Sequence, residues 1–366
     1  MSGVGSTEPP GSGGAGFAGA GAGTSEPLVV VDADVLGRRR TGDETYVRNL
    51  LRELGGLASG LRIAAVTRHP GLVPEGIEPL ELRTPVQEVR MLWTLPRLLR
   101  RTGAALVHTQ YAVPVASPCP AVVTIHDLSF EHEPSHMSLK DRLVFRRVVP
   151  RAARAATRIL TVSERTRGDL VRLYGLPGEK VVVTPNGVDP AFTPGNPLAL
   201  GTYVLVVGAV QARKNQLAAL EAAAAVPLPL VVAGPVRDEV LAARLREGGA
   251  DLRGYVSQDE LIDLYRGAAC LVQASRFEGF GLPVLEAMAC GTPVVAVDEP
   301  ALREVAGDAA LFVDERDLAE GIRRALADRR RLGDVGLERA RAFSWRVAAE
   351  RTLEVYREAL HGGEPG

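Results

Sequence analysis

Short apolar runs rich in valine, isoleucine and leucine alternate with segments of helical periodicity from residue 27 onward, and this alternation constrains the fold most. It is typical of parallel sheets that are covered by helices on both faces. One predicted helix, Asp43–Leu54, carries an apolar stripe at helical spacing. The first series contains seven predicted strands: Leu28–Asp32, Arg62–Thr67, Ile77–Leu82, Ala105–Thr109, Ala121–Ile125, Arg158–Ser163 and Val181–Pro185.

The pattern breaks into turn residues around 185–189 and 194–197, where we expect the hinge between two α/β domains. A second series of strands follows, and its alternation with helices suggests the doubly wound order 3-2-1-4-5-6. We expect domains at 27–190 and 191–343, and a C-terminal helix at 344–361 that packs back toward the first domain. The second series is Tyr203–Gly208, Leu228–Gly234, Leu252–Val256, Cys270–Ala274, Val294–Asp298 and Ala310–Val313.

Composition narrows the class of protein. The 366 residues carry a formal net charge of −1, which gives no electrostatic case for a nucleic-acid partner. Cys119, Cys270 and Cys290 lack metal-ligand spacing and lie in or beside apolar stretches. We therefore expect reduced, buried thiols in a cytoplasmic protein. No apolar run is long enough to span a membrane.

Residues 1–26 form a segment rich in glycine, alanine and serine, which we expect to be disordered. The segment lacks the basic start and apolar middle of a signal peptide. Within it, Gly11–Gly16 formally matches the dinucleotide-binding fingerprint, but no strand precedes the match and no helix follows it. Because this is the only such fingerprint, a nicotinamide-dependent dehydrogenase is excluded.

The segment 277–291 gives the strongest indication of chemistry. Its Glu278 and Glu286 flank Gly-Phe-Gly-Leu-Pro, whose proline suits the first position of a helix. Gly279 and Gly281 let the backbone approach a ligand closely. Free amides and the positive end of a helix make an anion site, beside which carboxylates can accept hydrogen bonds from hydroxyls. An anion that carries hydroxyls suggests a nucleotide-sugar.

The predicted strand order places a ligand crevice between the first and fourth strands of the second domain, at their carboxyl ends. The loops 209–215 and 275–282 then form opposite lips of that crevice. Arg213 and Lys214 in the first loop suit a pyrophosphate, with a solvated helix start as the alternative. Taken alone, the two glutamates are a general acid and base, hydroxyl acceptors, or residues that stabilise a helix end.

These segments resemble the retaining glycosyltransferases of family 4, whose GT-B fold has two facing Rossmann-like domains and a cleft between them. Glu278 and Glu286 meet the Glu-x7-Glu pattern, which is the most specific part of the match. Similarity of 124–127 and 208–215 to mannosyltransferase-like relatives makes GDP-mannose the leading donor. The resemblance also extends over 161–164, 185–189, 291–295 and 304–310.

The resemblance implies a role for each residue of the cleft. Glu286 would accept hydrogen bonds from the nucleotide ribose, and Glu278 would hold the donor sugar. Arg213 and Lys214 would neutralise the leaving diphosphate without a metal or a cofactor. His126 would lie near the donor sugar and the acceptor, although on its own it is more typical of a hydrogen-bonded structural histidine. The amides that would hold the sugar and its phosphates belong to Gly279, Phe280, Gly281 and Leu282.

The implied reaction is transfer of a hexose, with retention, to the hydroxyl of a glycan or lipid-linked acceptor. The acceptor would attack from the face that the diphosphate leaves, with a departing phosphate oxygen as its base. A covalent intermediate on Glu278 is the alternative mechanism. Two alternative functions stay open: an epimerase or phosphorylase on the same fold, and a sugar-binding module without chemistry.

One stretch departs from the family pattern. Where many relatives carry a glycine-rich loop after the first strand, this chain has Arg38–Tyr46, in which Gly42 alone offers close backbone approach. Asp43 and Glu44 either bind acceptor hydroxyls or cap the following helix, and capping is favoured. Asp127 is an acceptor-side candidate with the same alternative, since an aspartate there can cap a turn.

A basic stripe is predicted from the helical spacing of Arg147, Arg151, Arg154 and Arg158. With Arg38–Arg40 it could meet an anionic membrane surface or a phosphorylated carrier. A solvated helix face is the more common meaning of such a stripe, and both interpretations are kept.

Overall fold

The computed structural model describes residues 26–38, 41–57, 60–133, 139–195 and 201–362. All but the last residue of the predicted disordered tail lies outside these ranges, as do Arg39 and Arg40.

The first sheet consists of seven parallel strands in the order β3-β2-β1-β4-β5-β6-β7. Its central strand β1 is buried along its whole length, as expected for a run of valines between two layers of helices. All seven strands lie within two residues of their predicted bounds. They are β1 (Leu28–Asp32), β2 (Arg62–Thr67), β3 (Glu78–Glu81), β4 (Leu106–Gln110), β5 (Ala121–Thr124), β6 (Arg158–Thr161) and β7 (Val181–Val183).

The second sheet has six parallel strands in the order β10-β9-β8-β11-β12-β13. This confirms the predicted doubly wound order and makes β8 and β11 neighbours. Cys270 on β11 is a free, buried thiol, as is Cys290, whereas Cys119 is partly exposed. The strands are β8 (Val204–Val207), β9 (Leu230–Ala233), β10 (Asp251–Gly254), β11 (Cys270–Gln273), β12 (Val294–Val297) and β13 (Leu311–Val313).

Fourteen α-helical segments in the described ranges cover the two sheets. They are α1 (Thr41–Gly56), α2 (Gln87–Val89), α3 (Leu95–Thr102), α4 (Ser129–His132), α5 (Leu139–Ala155), α6 (Glu164–Tyr174), α7 (Gln216–Ala224), α8 (Glu239–Glu247), α9 (Gln258–Gly267), α10 (Leu282–Ala289), α11 (Pro300–Ala306), α12 (Leu318–Ala327), α13 (Arg329–Ala340) and α14 (Trp345–Leu360).

The last helix, α14, crosses from the second domain and packs against α1 of the first. Its buried Tyr356 contacts β4, where the phenol oxygen lies 2.6 Å from His108 Nδ1. Burial lowers the pKa of His108 to about 3, so the imidazole in this contact is neutral. The start of the helix touches the hinge so closely that a Cβ on Gly187 would stand 2.0 Å from the backbone nitrogen of Trp345.

The predicted basic stripe is wrong at its last member. Helix α5 ends at Ala155, and Arg158 is the first residue of β6. The chain leaves the helix because the backbone nitrogen of Thr157 bonds to Ala121 O and begins the pairing of β6 with β5. Arg158 instead pairs with Glu358 of α14 at 3.2 Å. Arg147, Arg151 and Arg154 remain exposed on α5.

Candidate active site in the interdomain cleft

The loops that follow β8 and β11 meet at the carboxyl edge of the second sheet, where the strand order predicts the crevice. The first loop contains a 3₁₀ turn, Ala212–Lys214. The backbone nitrogen of Arg276 in the second loop donates to Arg213 O at 3.1 Å. Gly208 follows β8 and lies beside the Lys214 side chain, where a Cβ would be in van der Waals contact with Lys214 Cε at 3.4 Å.

Glu278 is held by three side chains at this junction. Its Oε1 accepts from Lys214 Nζ at 2.5 Å and from Gln273 Nε2 at 2.6 Å. Its Oε2 lies 3.5 Å from Arg213 Nη1, which also donates to Phe277 O. Burial acts to raise the pKa of the Glu278 carboxyl, but Lys214 and Arg213 outweigh it and lower the pKa to about 2. The group is therefore an anion throughout the physiological range.

The cluster of Arg213, Lys214 and Glu278 carries two positive charges and one negative charge, hence a net charge of +1. Burial lowers the pKa of Lys214, while the adjacent carboxylate of Glu278 acts in the opposite direction. An ammonium has three N–H donors and a guanidinium five, so the two cations keep donors for a further anion.

Helix α10 begins at Leu282, after Gly281 with φ of 114°. Only glycine adopts this backbone conformation readily, which explains its place before the helix. Pro283 is the second helical residue, one position later than predicted. The ring of Phe280 is buried and packs against Phe343, with 5.9 Å between the ring centroids.

Position 279 requires a glycine because the first domain approaches its backbone closely. A Cβ on Gly279 would stand 2.4 Å from His126 O and 2.8 Å from Asp127 Cβ. Its carbonyl accepts a hydrogen bond from Ser163 Oγ at 2.6 Å, which also crosses the cleft. The first domain therefore approaches Gly279 closely, and the approach of a ligand to the same residue stays a prediction.

Glu286 does not lie at the end of the helix, contrary to the sequence interpretation that put both carboxylates there. It is the fifth residue of α10 and is 9% exposed. Its Oε2 accepts a hydrogen bond from the phenol of Tyr265 at 2.7 Å. Burial raises the pKa of Glu286 to about 7, despite the Tyr265 hydrogen bond, and Asp189 adds to the rise. Glu278 and Glu286 therefore differ strongly in acidity.

His126 follows β5 and faces the second domain. Its Nε2 lies 3.0 Å from Gln110 Oε1, and because an amide oxygen only accepts, Nε2–H is the donor and Nδ1 of the neutral ring is left as an acceptor. The Tyr46 ring meets the imidazole edge-on, with 4.7 Å between centroids. Burial lowers the pKa of His126, against the opposite effects of Asp43 and Asp127, which favours the neutral imidazole.

The acceptor-side candidates have different local contacts. Asp127 Oδ1 accepts from Ser129 N at 2.9 Å and so caps the turn into α4. Glu44 accepts from Gly37 N at 3.0 Å and from Arg48 Nη2 at 2.7 Å, and it ties the loop after β1 to α1. Asp43 is half-buried in the first turn of α1. Gly42 is exposed, and a Cβ there would meet no atom within 4 Å.

Four residues near the site escaped the sequence analysis: Gln110, Tyr111, Tyr265 and Gln273. Tyr265 had the signal of a core residue on an amphipathic helix, and no sequence pattern connects it with Glu286. Tyr111 has a φ of 58°, rare for a non-glycine residue. Its ring lies 5.7 Å from that of His126. Tyr111 is thus a strained residue beside the cleft.

Two family profiles cover most of the chain. Residues 40–192 match the profile described as Glycosyltransferase Family 4, and residues 200–342 match Glycosyl transferases group 1. O-antigen chain mannosyltransferase B of Escherichia coli is 33% identical over 267 residues, which are 65% of this chain and 70% of that protein. The chain belongs to glycosyltransferase family 4.

This family-4 glycosyltransferase has further relatives of known name and structure. D-inositol 3-phosphate glycosyltransferase of Streptomyces bingchenggensis is 34% identical over 248 residues, 57% of this chain and 54% of that protein. Sucrose-phosphate synthase of Thermosynechococcus elongatus has a similar structure, with a TM-score of 0.74 and 20% identity. That comparison covers 92% of this chain and 99% of the synthase. The two doubly wound domains are those of the GT-B fold, as predicted.

The described ranges of this glycosyltransferase contain neither a metal-binding cluster nor a helix that could span a membrane. No group of three or more His, Cys, Asp or Glu side chains among those residues is arranged to hold a metal ion. No helix within them combines the length and the apolar character that crossing a membrane requires.

Proposed function

We propose that this glycosyltransferase moves a hexose, with retention and without a metal or cofactor, from a nucleoside-diphosphate sugar to a hydroxyl of a glycan or lipid-linked acceptor. GDP-mannose is the leading donor, supported by the likeness to a mannosyltransferase. One observation carries the proposal: Arg213 and Lys214 converge on Glu278 beside the start of α10, at the strand-order switch point of the second sheet.

The leaving diphosphate binds at the cationic end of this cluster. As the glycosidic bond breaks, negative charge grows on the diphosphate, and Lys214, Arg213 and the free amides at the start of α10 stabilise it. These groups are fixed before the reaction, because Lys214 is already oriented by Glu278 and Arg213 by Phe277 O. Preorganised donors of this kind need no rearrangement as the charge develops.

Glu278 acts as a hydroxyl acceptor for the sugar and takes no part in proton transfer. A carboxyl with a pKa near 2 is a poor general acid at neutral pH. Its Oε1 is already engaged by Lys214 and Gln273, which weakens it as a nucleophile. We therefore favour attack of the acceptor hydroxyl from the leaving-group face, with a diphosphate oxygen taking the proton.

His126 belongs on the reacting side of the sugar. Its neutral imidazole keeps Nδ1 as an acceptor while Nε2 faces Gln110. A neutral acceptor suits a sugar hydroxyl, and it also tolerates the positive charge that develops on the ring. Asp43 and Asp127 lie close enough to influence the pKa of His126, and we propose them as contacts for acceptor hydroxyls.

A donor panel tests the proposal. Thermal unfolding is measured with GDP, UDP, ADP and dTDP and with their hexose conjugates, and a selective rise identifies the base and sugar. Products are then analysed with and without a mannose oligosaccharide. Acceptor-dependent release of nucleotide, with a retained anomeric configuration by NMR, is the expected result.

The other outcomes point to the alternative functions. An epimerised sugar or a sugar phosphate would indicate an epimerase or a phosphorylase. Saturable sugar binding without nucleotide release would indicate a binding module.

We further propose that α5 contacts an anionic lipid surface, which would bring the enzyme to a lipid-linked acceptor. Exposed apolar residues, including Leu139 at 83% and Leu143 at 52%, accompany exposed Arg147 and Arg151 on this helix. An apolar face with basic neighbours suits the interface of an anionic bilayer.

Vesicle binding tests the α5 surface. The double variant Arg147→Glu/Arg151→Glu should bind vesicles of phosphatidylcholine and phosphatidylglycerol more than about tenfold more weakly, because each of the two basic residues contributes about 1 kcal/mol near such a surface. Arg244→Glu/Arg246→Glu on the exposed side of α8 makes the same charge change elsewhere and should bind like the wild type. Equal partitioning of all three proteins would remove the proposal.

A further inference from the structure

The two oxygens of the Glu286 carboxylate are in different situations. Oε2 accepts the Tyr265 phenol at 2.7 Å, whereas Oε1 has no hydrogen-bond partner among the residues that the structure describes. The side chain is nevertheless more than nine-tenths buried. Oε1 does not belong to the fully enclosed polar atoms that lack a partner, so a donor from a ligand can reach it and its acceptor capacity is free.

Contacts of both its backbone and its ring hold Tyr265 in place. The residue is completely buried on α9. Its backbone carbonyl accepts from Thr292 Oγ1 at 2.6 Å, and its ring meets Phe192 of the hinge segment edge-on at 5.9 Å. Burial raises the pKa of the phenol well above its usual value, so its proton stays available to Glu286 at every physiological pH. The direction of this donor is therefore set by the fold.

We propose that Tyr265 is a positioning residue for the donor nucleotide: its phenol holds Oε2 of Glu286 and thereby turns Oε1 toward the ribose hydroxyls. The inference rests on the proposed function, in which Glu286 binds the ribose. It adds a residue on another helix that determines how the carboxylate is presented. A tyrosine that merely fills the core would affect stability without affecting ribose recognition.

The surroundings of Glu286 make this role measurable. Three titratable groups lie near Glu286: Tyr265 on α9, Asp189 in the hinge segment, and Cys290 at the end of α10. Burial raises the pKa of the Cys290 thiol to about 12, so this neighbour stays neutral. Helices α11 and α13 also pack on α10, and within the described ranges they present no titratable group that shifts Glu286.

The sign of the pH effect follows from the donor. Ribose hydroxyls donate to a carboxylate, so binding favours ionised Glu286, and affinity falls as the pH falls through about 7. Tyr265→Phe removes a donor that stabilises the ionised form. The pKa of Glu286 then rises, and the midpoint of the affinity profile moves to higher pH.

Calorimetric titration with the nucleoside diphosphate that the wild type binds best, from pH 6 to 9, tests this. Tyr265→Phe should bind roughly tenfold more weakly at pH 7, the effect of losing one hydrogen bond to a charged group, and should approach the wild type at pH 9. Tyr203→Phe is the matched control. Its phenol donates to the backbone oxygen of Leu264 on the same helix at 2.8 Å, and its loss should leave the profile unchanged.

Analogues isolate the ribose hydroxyls. The 2′-deoxy and 3′-deoxy forms of the same diphosphate are titrated against the same proteins. For the analogue that lacks the hydroxyl bound by Glu286, Tyr265→Phe should cause no loss of affinity. Glu286→Gln should abolish the pH dependence, and adding Tyr265→Phe to it should cause no further pH-dependent loss.

Three results would overturn the inference. One is that Tyr265→Phe, folded by circular dichroism, binds as the wild type does. Another is a loss by the same factor at every pH and with every analogue. If Tyr265→Phe does not fold, Thr292→Val, which removes the hydrogen bond to the Tyr265 carbonyl, replaces it and should shift the midpoint of the affinity profile in the same direction. The third contradicting result is that Thr292→Val causes no such shift. A wild type that binds none of GDP, UDP, ADP and dTDP would instead contradict the proposed function itself.

Discussion

Lys214 Nζ stands 2.5 Å from Glu278 Oε1, so a cation of one cleft loop is neutralised by a carboxylate of the other. The residues are 64 positions apart and belong to the loops after β8 and β11. A diphosphate that enters the cluster meets a net charge of +1, and it shares Lys214 with Glu278. Burial lowers the pKa of Lys214, and the carboxylate of Glu278 offsets part of this effect.

Removal of this lysine gives the first prediction. Lys214→Ala should lower kcat by about 10²–10³, as loss of a preorganised donor to a developing anion does. Lys180→Ala is the control, because the Lys180 ammonium donates to the backbone oxygen of Arg154, which does not belong to either cleft loop. Turnover is measured with saturating donor on proteins whose fold has been checked. Near-wild-type turnover of folded Lys214→Ala would contradict the assigned role.

The second prediction concerns Glu278. With a pKa near 2, this carboxyl should contribute no ionisation to the pH dependence of kcat between pH 5 and 9. Mass spectrometry of the enzyme with donor and without acceptor should show only unmodified protein. A glycosyl adduct that disappears in Glu278→Gln would instead establish the covalent mechanism.

The third prediction is that ionisation of Glu286 lowers the stability of the fold but strengthens nucleotide binding. Its pKa of about 7 in the folded protein exceeds that of an unfolded glutamate, so the folded state binds the extra proton between those two values. Stability contributed by this group is therefore present at low pH and lost as the pH rises toward 7, by roughly 1.4 kcal/mol per unit of pKa difference. Glu286→Gln does not titrate.

Glu286→Gln should consequently unfold at a higher temperature than the wild type at pH 8 and bind nucleoside diphosphate more weakly. Glu286→Ala should likewise lose more nucleotide affinity than folding stability. Paired thermal unfolding and calorimetry check both variants. Unchanged nucleotide affinity in both would exclude Glu286 from the donor site.

Gly279→Ala tests the contact between the domains. The new methyl group would meet His126 O at 2.4 Å, so the cleft must widen by several tenths of an ångström or more. We expect a large fall in kcat with little change in nucleotide affinity, because the nucleotide contacts lie in the second domain. Gly168→Ala is the control, since a Cβ at that exposed position in α6 meets no atom within 4 Å. Equal turnover of both variants would show that the contact is unnecessary.

The sequence predicted the strands and loops that form this site because their positions depend on local sequence patterns. Buried β-branched runs locate the strands, and the doubly wound order then brings Arg213 and Lys214 to the segment that begins at Phe277. That juxtaposition needs no knowledge of side-chain contacts. It follows from parallel strands whose carboxyl ends share one edge.

Contacts between distant elements escaped prediction for a physical reason. Tyr265 has the spacing of any core residue on an amphipathic helix, and its partner Glu286 belongs to another helix. The contact of Gly279 with the first domain was not predicted, since a glycine indicates close approach without indicating which group approaches. Arg158 followed a helical spacing that the backbone abandons at β6. Periodicity describes one secondary-structure element at a time, whereas each of these contacts joins two elements.

The return of α14 to the first domain also determines when that domain can be completed. The bond between His108 and Tyr356 joins residues 248 positions apart. During synthesis the partner of α1 therefore emerges only after the whole second domain. Until α14 has been made, the side of α1 that it covers stays exposed. Loss of α14 should therefore destabilise the domain that is made first.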